Sequence, residues 1–169
     1  MSFEDDLQRY LRRRPSAPVP AILATRLLMR AAALLRLRMD QALAGQGLQM
    51  REYLALAFIS LHKGEPLRPS ELGISLDATR TQVTRLLDAL AVRGLVQRQA
   101  APDDRRALEL VLTEAGVRTL AECAPLVHAA YREAWAGVPD LEAALSDLRA
   151  LNQRLLGGGA GPQGDGPPP

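Results

Sequence analysis

The chain contains few of the residues that build disulfide-linked, metal-binding or membrane-spanning proteins. Cys123 is the only cysteine among 169 residues, so no disulfide can form within the chain. The two histidines, His62 and His128, lie far apart in the sequence, and their spacing does not suit a metal site. No apolar run approaches the roughly 20 residues that span a bilayer, and Met1–Tyr10 is acidic and lacks the apolar core of a signal peptide. We therefore expect a cytoplasmic protein with no metal and no membrane partner.

Aromatic residues and lysine are also scarce. Aromatics make up 4% of the chain against 47% hydrophobic residues in all, so the core must consist mainly of Leu, Ala and Val, which is typical of helix-rich proteins. Lys63 is the only lysine, so almost all positive charge is carried by arginine, which suits forked, bidentate contacts. The sequence has no nucleophile elbow, phosphate-binding glycine loop or metal-ligand cluster, so it predicts neither an enzyme nor a bound cofactor.

The hydrophobic periodicity and the turn residues predict a mainly α-helical fold with one small β-hairpin. Helices are expected at residues 2–14, 21–44, 49–62, 69–74, 77–93, 114–137 and 139–156, and strands at 95–99 and 108–112. Asp77 is the expected N-cap of the fifth helix and Gly94 its C-terminal cap. The prolines between positions 15 and 20 should break the chain before the second helix, and Pro125 should interrupt or kink the sixth.

The order helix, tight turn, helix, hairpin is that of a winged helix-turn-helix, whose second helix enters the major groove of DNA. We expect this part at about 49–113, flanked by dimerisation helices at 21–44 and 114–156, all within one domain over 21–156. The flanking helices carry more apolar surface than one small winged part can cover, and a second copy of the chain would bury it. Residues 1–20 are expected to form an N-terminal arm, and the Gly- and Pro-rich residues 157–169 a disordered tail.

The second helix of the helix-turn-helix begins with polar side chains that can hydrogen-bond to the edges of DNA bases. They are Thr79, Arg80, Thr81, Gln82, Thr84 and Arg85. Arg80 or Arg85 could fork onto guanine, and Gln82 onto adenine. Taken alone, these residues would fit the solvent face of an ordinary amphipathic helix at least as well.

A basic hairpin follows this helix and shifts the balance towards DNA binding. Residues 79–106 contain six Arg against three Asp, whereas residues 113–156 contain four Arg against six acidic residues. At the hairpin tip, Arg106, with Arg105 beside it, can enter a narrow minor groove, and the Asp104 carboxylate can hold Arg106 in position. A hydrophilic turn on a solvated, charged surface is the alternative interpretation.

The stretch from Ser70 to Gly116 resembles the MarR family of bacterial regulators. The matching elements are the Thr-Arg-Leu-Leu-Asp-x-Leu helix, the Arg-Gly-Leu-Val exit, the Asp-Arg-Arg wing and the Leu-Thr-x-x-Gly that follows it. Residues 21–39, residues 48–61 and the helix that contains Pro125 are similar to the EmrR (MprA) branch of that family. The resemblance covers roughly residues 20–156.

This resemblance implies a homodimer that represses transcription and is released by a small, often aromatic or phenolic, molecule. It also implies that residues 79–85 read the major groove of double-stranded DNA and that Arg106, with or without Arg105, enters the minor groove. A winged protein-interaction module is the rival function, but such a module needs neither a basic recognition helix nor an arginine-tipped wing.

In the MarR family the effector pocket lies between the dimer helices and the winged part. This makes Arg26, Met29, Arg30, Tyr53 and Phe58 the candidate ligand-binding residues. Neither Arg26 nor Arg30 has an acidic residue four positions away, so either could hold the carboxylate of an aromatic acid such as benzoate, salicylate or nicotinate. Alternatively, both arginines face solvent or the DNA phosphates.

The remaining reactive side chains predict little chemistry. The sequence neighbours of Cys123 are two alanines and Glu122, which do not lower the pKa of a thiol, so we expect a packed residue rather than a redox sensor. His62 is expected to be a polar residue at a helix end. His128 is expected to be a hydrogen-bonded histidine in an interface.

Overall fold

A computed structural model describes residues 3–11, 16–62, 69–100 and 108–157. Its helices are α1 Phe3–Leu11, α2 Val19–Leu43, α3 Met50–Leu61, α4 Pro69–Ser75, α5 Arg80–Val92, α6 Glu114–Trp135 and α7 Leu141–Gly157, and its strands are β1 Val96–Ala100 and β2 Leu108–Leu112. The two strands form one antiparallel sheet, which confirms the predicted mainly α-helical class with a small hairpin. None of the described helices is both long enough and apolar enough to cross a membrane.

The chain divides into two compact units, residues 1–131 and 132–169. The core of the first unit is formed by apolar side chains from the end of α2 and from α3, α4, α5, β1 and α6. Its largest fully buried members are Leu43, Leu56, Ile59, Leu72, Leu90, Val83, Val127 and Cys123. In the second unit, α7 begins after Asp140, whose Oδ1 accepts a hydrogen bond from the Ala143 amide at 2.9 Å.

Only the C-terminal end of α2 is buried within its own chain. Met39 and Leu43 belong to the core, whereas every residue from 24 to 34 is exposed. Pro18 precedes the helix and Pro20 lies in its first turn, so Pro20 starts the helix where the sequence predicted a break. Proline is tolerated there because the first amides of a helix have no partner within the helix.

The start of α3 is tied to α2. Glu52, in the first turn of α3, accepts a hydrogen bond from the Gln49 amide through Oε2 at 2.8 Å. Asp40, near the end of α2, accepts a hydrogen bond from the Met50 amide at 2.7 Å. Two carboxylates thus satisfy amides at the N-terminus of α3, where negative charge is favourable.

The turn between α4 and α5 differs in one detail from the prediction. Asp77 has φ of +48°, in the left-handed region that Asp tolerates better than most residues. The amide of Ala78 donates to the Gly73 carbonyl at 2.9 Å and closes the turn. An N-cap needs an extended backbone, so the cap is Thr79, with φ −69° and ψ 158°, and the prediction of Asp77 was wrong.

Gly94 ends α5 as the sequence predicted, with φ of +67°. The chain then enters β1, which pairs with β2 from Val96 opposite Leu112 to Ala100 opposite Leu108. This register brings the end of α5 next to the start of α6. The carbonyls of Gly94 and Leu95 lie against Thr113, the residue before α6.

Helix α6 continues through Pro125 without a break, so the predicted interruption is absent, and the alternative of a kink stays a prediction. Cys123 and Val127, on either side of the proline, are buried in the core. Their packing holds the helix in place and offsets the hydrogen bond that proline cannot donate.

Candidate DNA-binding interface

Helix α5 has one buried and one exposed side. Val83, Leu87 and Leu90 are at most 4% exposed and pack into the core. The six polar residues singled out in the sequence are all exposed; they are Thr79, Arg80, Thr81, Gln82, Thr84 and Arg85. Because the buried residues recur every three or four positions, Thr81 and Arg85 fall on the opposite side of the helix, whereas Thr79 and Arg80 are exposed at its N-terminal end, before the first buried residue.

Two of these residues form the N-terminal cap of α5. The Thr79 amide donates to Gln82 Oε1 at 2.8 Å, and the Gln82 amide donates back to Thr79 Oγ1 at 3.3 Å. The Thr79 hydroxyl also donates to Gln82 Oε1 at 3.1 Å. A bidentate contact of Gln82 with adenine needs both the oxygen and the nitrogen of its amide group, so it would have to open this cap.

Hydrogen bonds within α5 decide which of its polar side chains are available to contact DNA. Thr84 donates its hydroxyl to the Arg80 carbonyl at 3.1 Å, within α5. For the side chains of Arg80, Thr81 and Arg85, the described residues supply no hydrogen-bond or ion-pair partner. These three side chains project from the first two turns and are available to a partner outside the chain.

The predicted wing tip cannot be placed. Asp104, Arg105 and Arg106 lie in residues 101–107, outside the described residues. The strands on either side are described, and their register joins the ends of this segment at Ala100 and Leu108. The sequence prediction for the three tip residues therefore stays a prediction.

The C-terminal end of α5 carries a contact that the sequence analysis did not find. Arg93 Nη1 donates to Glu52 Oε1 at 3.0 Å, with the two side chains 35% and 16% exposed. The signal for Glu52 was present: an acidic residue three positions after a polar one, Gln49, at a helix start. Its ion pair with Arg93, 41 positions later, depends on the packing of α3 against α5.

The five predicted effector residues fall into two groups. Arg26, Met29 and Arg30 are exposed on the first half of α2, whereas Tyr53 is buried and Phe58 half-buried on α3. The buried end of α2 starts at Met39, which at 1.5 Å per residue lies about 20 Å along the helix from Arg26. The three candidates on α2 therefore lie outside the core that buries Tyr53.

Around Tyr53 the structure adds a residue that the sequence did not single out. Burial raises the pKa of the Tyr53 phenol, and the neighbouring Tyr131 hydroxyl and Cys123 thiol raise it further. Burial also raises the pKa of Tyr131. A phenol with its ordinary pKa is already neutral near pH 7, so with raised pKa values both hydroxyls stay protonated there and can donate hydrogen bonds.

The surroundings of Cys123 and His62 indicate that both side chains have structural roles. Cys123 is fully buried, and its thiol pKa is raised by burial and by the charge of Glu122, so the reactive thiolate is disfavoured. His62 follows the end of α3, its Nδ1 lies 2.9 Å from the Phe58 carbonyl, and its ring stacks on the Phe58 ring at 4.4 Å. His128 is exposed in the single chain, and its predicted interface role stays a prediction.

An open cleft of about 460 Å³ lies between the second half of α5 and the hairpin. Its lining is mostly apolar and consists of Leu87, Asp88, Ala91, Val92, Val96, Gln97 and Leu110. None of the predicted effector residues lines it. Among the described residues, no three His, Cys, Asp or Glu side chains lie close enough together to hold a metal ion.

Comparison with known proteins agrees with this arrangement. A family model described as MarR family matches residues 46–107. The transcriptional repressor MprA of Escherichia coli strain K12 is 32% identical over 139 residues, which cover 82% of this chain and 78% of MprA. These residues include the whole helix-turn-helix and the hairpin strands.

Solved structures give the same result. The M. tuberculosis transcriptional regulator MosR in complex with DNA is 31% identical, with a TM-score of 0.65 over 79% of this chain and 96% of MosR. CouR from Rhodococcus jostii RHA1, bound to p-coumaroyl-CoA, is 26% identical, with a TM-score of 0.65 over 76% of this chain and 88% of CouR. The relatives are transcriptional regulators and not enzymes. The chain, with its helix-turn-helix followed by a hairpin, therefore belongs to the MarR family of DNA-binding transcriptional regulators.

Proposed function

We propose that this regulator is a homodimeric repressor that binds a pseudo-palindromic operator and is released by a small aromatic acid. The observation that carries the DNA-binding part is the exposure of Arg80, Thr81 and Arg85 in the first two turns of α5, while Val83, Leu87 and Leu90 of the same helix are buried. Short and forked donors in the first turns of a helix are the groups that reach base edges in the major groove. The repressor role is supported by MprA, which is described as a transcriptional repressor.

The readout of DNA is assigned to two elements. Thr79, Arg80, Thr81, Gln82, Thr84 and Arg85 of α5 enter the major groove, where Thr79 and Gln82 mainly keep the helix start rigid. Arg106, supported by Asp104 and accompanied by Arg105, enters the minor groove. The repressor acts in the cytoplasm in this proposal.

The dimer part of the proposal rests on α2. Leu27, Leu34 and Leu37 are 48%, 51% and 53% exposed. At 100° per residue they lie within about 80° of one another, on the side of α2 opposite the buried Met39 and Leu43. A second copy packed on this stripe would bury it and would present two α5 helices to successive turns of the major groove, about 34 Å apart.

The effector part of the proposal starts from Arg30. By the same helical spacing Arg30 falls within the apolar stripe of α2, and the described residues contain no acidic side chain that pairs with it. Burying a guanidinium in an interface without an anionic partner is costly, and the carboxylate of a small acid would remove that cost. Met29 and Arg26 lie beside Arg30 on α2.

Tyr53 and Phe58 on α3 supply the aromatic part of the effector site in this proposal. The buried ring of Tyr53, with Tyr131 nearby, offers an apolar wall and a neutral hydroxyl donor. CouR, which is bound to p-coumaroyl-CoA, supports a ligand that contains a phenolic ring. Because Arg30 is exposed in the single chain, a second copy packed on α2 would complete the proposed site.

The test of DNA reading is a titration of an operator selected from bound genomic fragments. We expect Arg85→Ala and Arg106→Ala each to weaken binding by about fivefold to 150-fold, because each removes a contact worth roughly 1 to 3 kcal/mol. Arg149→Ala on α7 removes the same charge from outside the winged part and is the matched control.

Three results would contradict parts of the proposal. Equal affinity of Arg85→Ala and the unchanged protein would remove α5 from DNA reading. Equal affinity of Arg106→Ala would remove the wing. Binding that does not weaken as salt is raised would favour a protein-interaction module over a DNA regulator.

A further inference from the structure

We propose that Glu52, Arg93 and Thr113 form a clasp that holds the C-terminal end of α5 and thereby positions its first two turns for DNA. The inference rests on the proposed role of α5 as the reading helix. The clasp residues lie at the opposite end of α5 from Arg80 and Arg85, so they act on DNA binding through the orientation of the helix.

One arm of the clasp is the ion pair between α3 and α5. Glu52 Oε1 accepts from Arg93 Nη1 at 3.0 Å, while its other oxygen accepts from the Gln49 amide at 2.8 Å. Both of its oxygens are therefore engaged, and the carboxylate is only 16% exposed. The side chain of Glu52 has little freedom, so it can serve as a fixed anchor for Arg93.

The ion pair between Glu52 and Arg93 is strengthened by the position of each charge at the end of its helix. Glu52 lies in the first turn of α3, where the helix dipole favours an anion, and Arg93 is the C-cap of α5, where the dipole favours a cation. The N-terminus of α3 and the C-terminus of α5 are thus joined by a pair in which each charge also suits its own helix. Asp40, which accepts from the Met50 amide at 2.7 Å, continues the connection from α3 to α2.

The other arm of the clasp joins α5 to α6. Thr113 Oγ1 donates to the Gly94 carbonyl at 2.6 Å and accepts from the Gly116 amide at 3.0 Å. The Thr113 amide donates to the Leu95 carbonyl at 3.1 Å. The residues that leave α5 are therefore fixed to the start of α6 at the same end of the helix that Arg93 anchors.

A small tilt of α5 about its C-terminal end would displace its first turn, which is the part proposed to contact DNA. The 13 residues of α5 span about 20 Å, so a tilt of about 10° about the clasp would move the first turn by about 3 Å. Hydrogen bonds to base edges tolerate only a few tenths of an ångström. A loosened clasp would thus cost operator affinity although none of its residues contacts DNA.

The test measures operator affinity and its salt dependence for Glu52→Gln, Arg93→Gln, the double variant and Arg93→Lys. Gln at position 52 can still cap α3, so Glu52→Gln removes the ion pair and keeps the helix start. We expect each Gln variant to weaken binding about tenfold, the double variant to be no weaker than the singles, and Arg93→Lys to be intermediate. Thr113→Val should weaken binding similarly, and Thr113→Ser should restore it.

Two results of this experiment would overturn the clasp, and they differ in what is measured. Removing the negative charge of Glu52 should strengthen binding to DNA if only net charge matters, so equal or tighter binding of Glu52→Gln overturns the clasp. A fall of about one in the salt slope for Arg93→Gln would mean that Arg93 contacts a phosphate directly, which also overturns it. Unfolding curves recorded for each variant exclude loss of the fold as the cause.

Arg85→Ala, measured on the same DNA, separates this inference from the proposed function. If Arg85→Ala weakens binding and the clasp variants do not, the clasp alone is wrong. If Arg85→Ala also leaves binding unchanged, α5 is not the reading helix and the proposed function fails with it.

Discussion

At the scale of single residues, Gly116 shows how tightly the start of α6 approaches the exit of α5. A Cβ atom at position 116 would lie far closer to the carbonyl oxygen of Leu95 than van der Waals contact allows. The same carbonyl accepts the hydrogen bond of the Thr113 amide, so it cannot move away freely. Glycine is required here by the closeness of two backbones and not by its φ angle.

We expect Gly116→Ala to lower the free energy of unfolding by about 2 to 3 kcal/mol, because the methyl group would force Leu95 and Thr113 apart. Chemical denaturation measures this change. Gly45→Ala is the control, since a Cβ atom at position 45 would meet nothing within 4 Å, and it should change stability by less than about 1 kcal/mol. Equal stability of the two variants would show that the backbones separate at no cost.

At the scale of elements, α2 is a long helix that its own chain covers only in part. Its last turns enter the core through Met39 and Leu43, and every residue from 24 to 34 is exposed. An isolated helix with a leucine stripe is marginal in water, so α2 gains most of its stability from whatever packs on it. The proposed partner is a second copy of the chain.

Leu34→Glu in α2 should convert a dimer into a monomer, because a carboxylate would be placed in the centre of the apolar stripe. Sedimentation velocity distinguishes the two states for a chain of 18.3 kDa. Leu61→Glu, at the end of α3 where Leu61 is 80% exposed, is the matched control and should leave the dimer intact. A monomer of the unchanged protein, or a dimer of Leu34→Glu, would rule out this stripe as the interface.

At the scale of the whole molecule, regulation requires that effector and operator binding oppose each other. The coupling free energy between two sites is reciprocal, so an acid that releases DNA must bind less tightly to the DNA-bound protein. The proposed effector site includes α2 and α3, and α3 is joined to the end of α5 by the Glu52–Arg93 pair. A shift of α3 on ligand binding therefore has a direct route to the reading helix.

We expect benzoate, salicylate or nicotinate to raise the free energy of unfolding by about 2.7 kcal/mol at a concentration of 100 times Kd. The melting temperature should rise accordingly. The same acid should weaken operator binding. Arg30→Ala should abolish both effects, whereas Arg36→Ala on the other side of α2 should preserve them. If none of the acids stabilises the protein, an aromatic carboxylate is excluded as the effector. If an acid still stabilises Arg30→Ala, Arg30 is excluded as the partner of the carboxylate.

Local chemistry in the sequence was sufficient to predict most of the elements. The apolar spacing of Val83, Leu87 and Leu90 identified the buried side of α5, and Gly94 identified its end, because periodicity and left-handed caps depend only on neighbouring residues. The motif from Thr84 to Leu90, together with the wing and the Leu-Thr-x-x-Gly, identified the family. The exposed polar side of α5 followed from the same periodicity.

The tertiary structure decided what depends on residues distant in the chain. Asp77 looked like a cap, but the tight closure of the turn onto Gly73 gives it a left-handed backbone and moves the cap to Thr79. That shift engages Gln82 in the cap; Thr79-x-x-Gln82 has the spacing of a capping box, a local signal that the choice of Asp77 as the cap passed over. The packing of α3 against α5 brings Glu52 to Arg93, and the close approach of the Leu95 backbone to the start of α6 favours glycine at position 116, because these contacts join residues tens of positions apart.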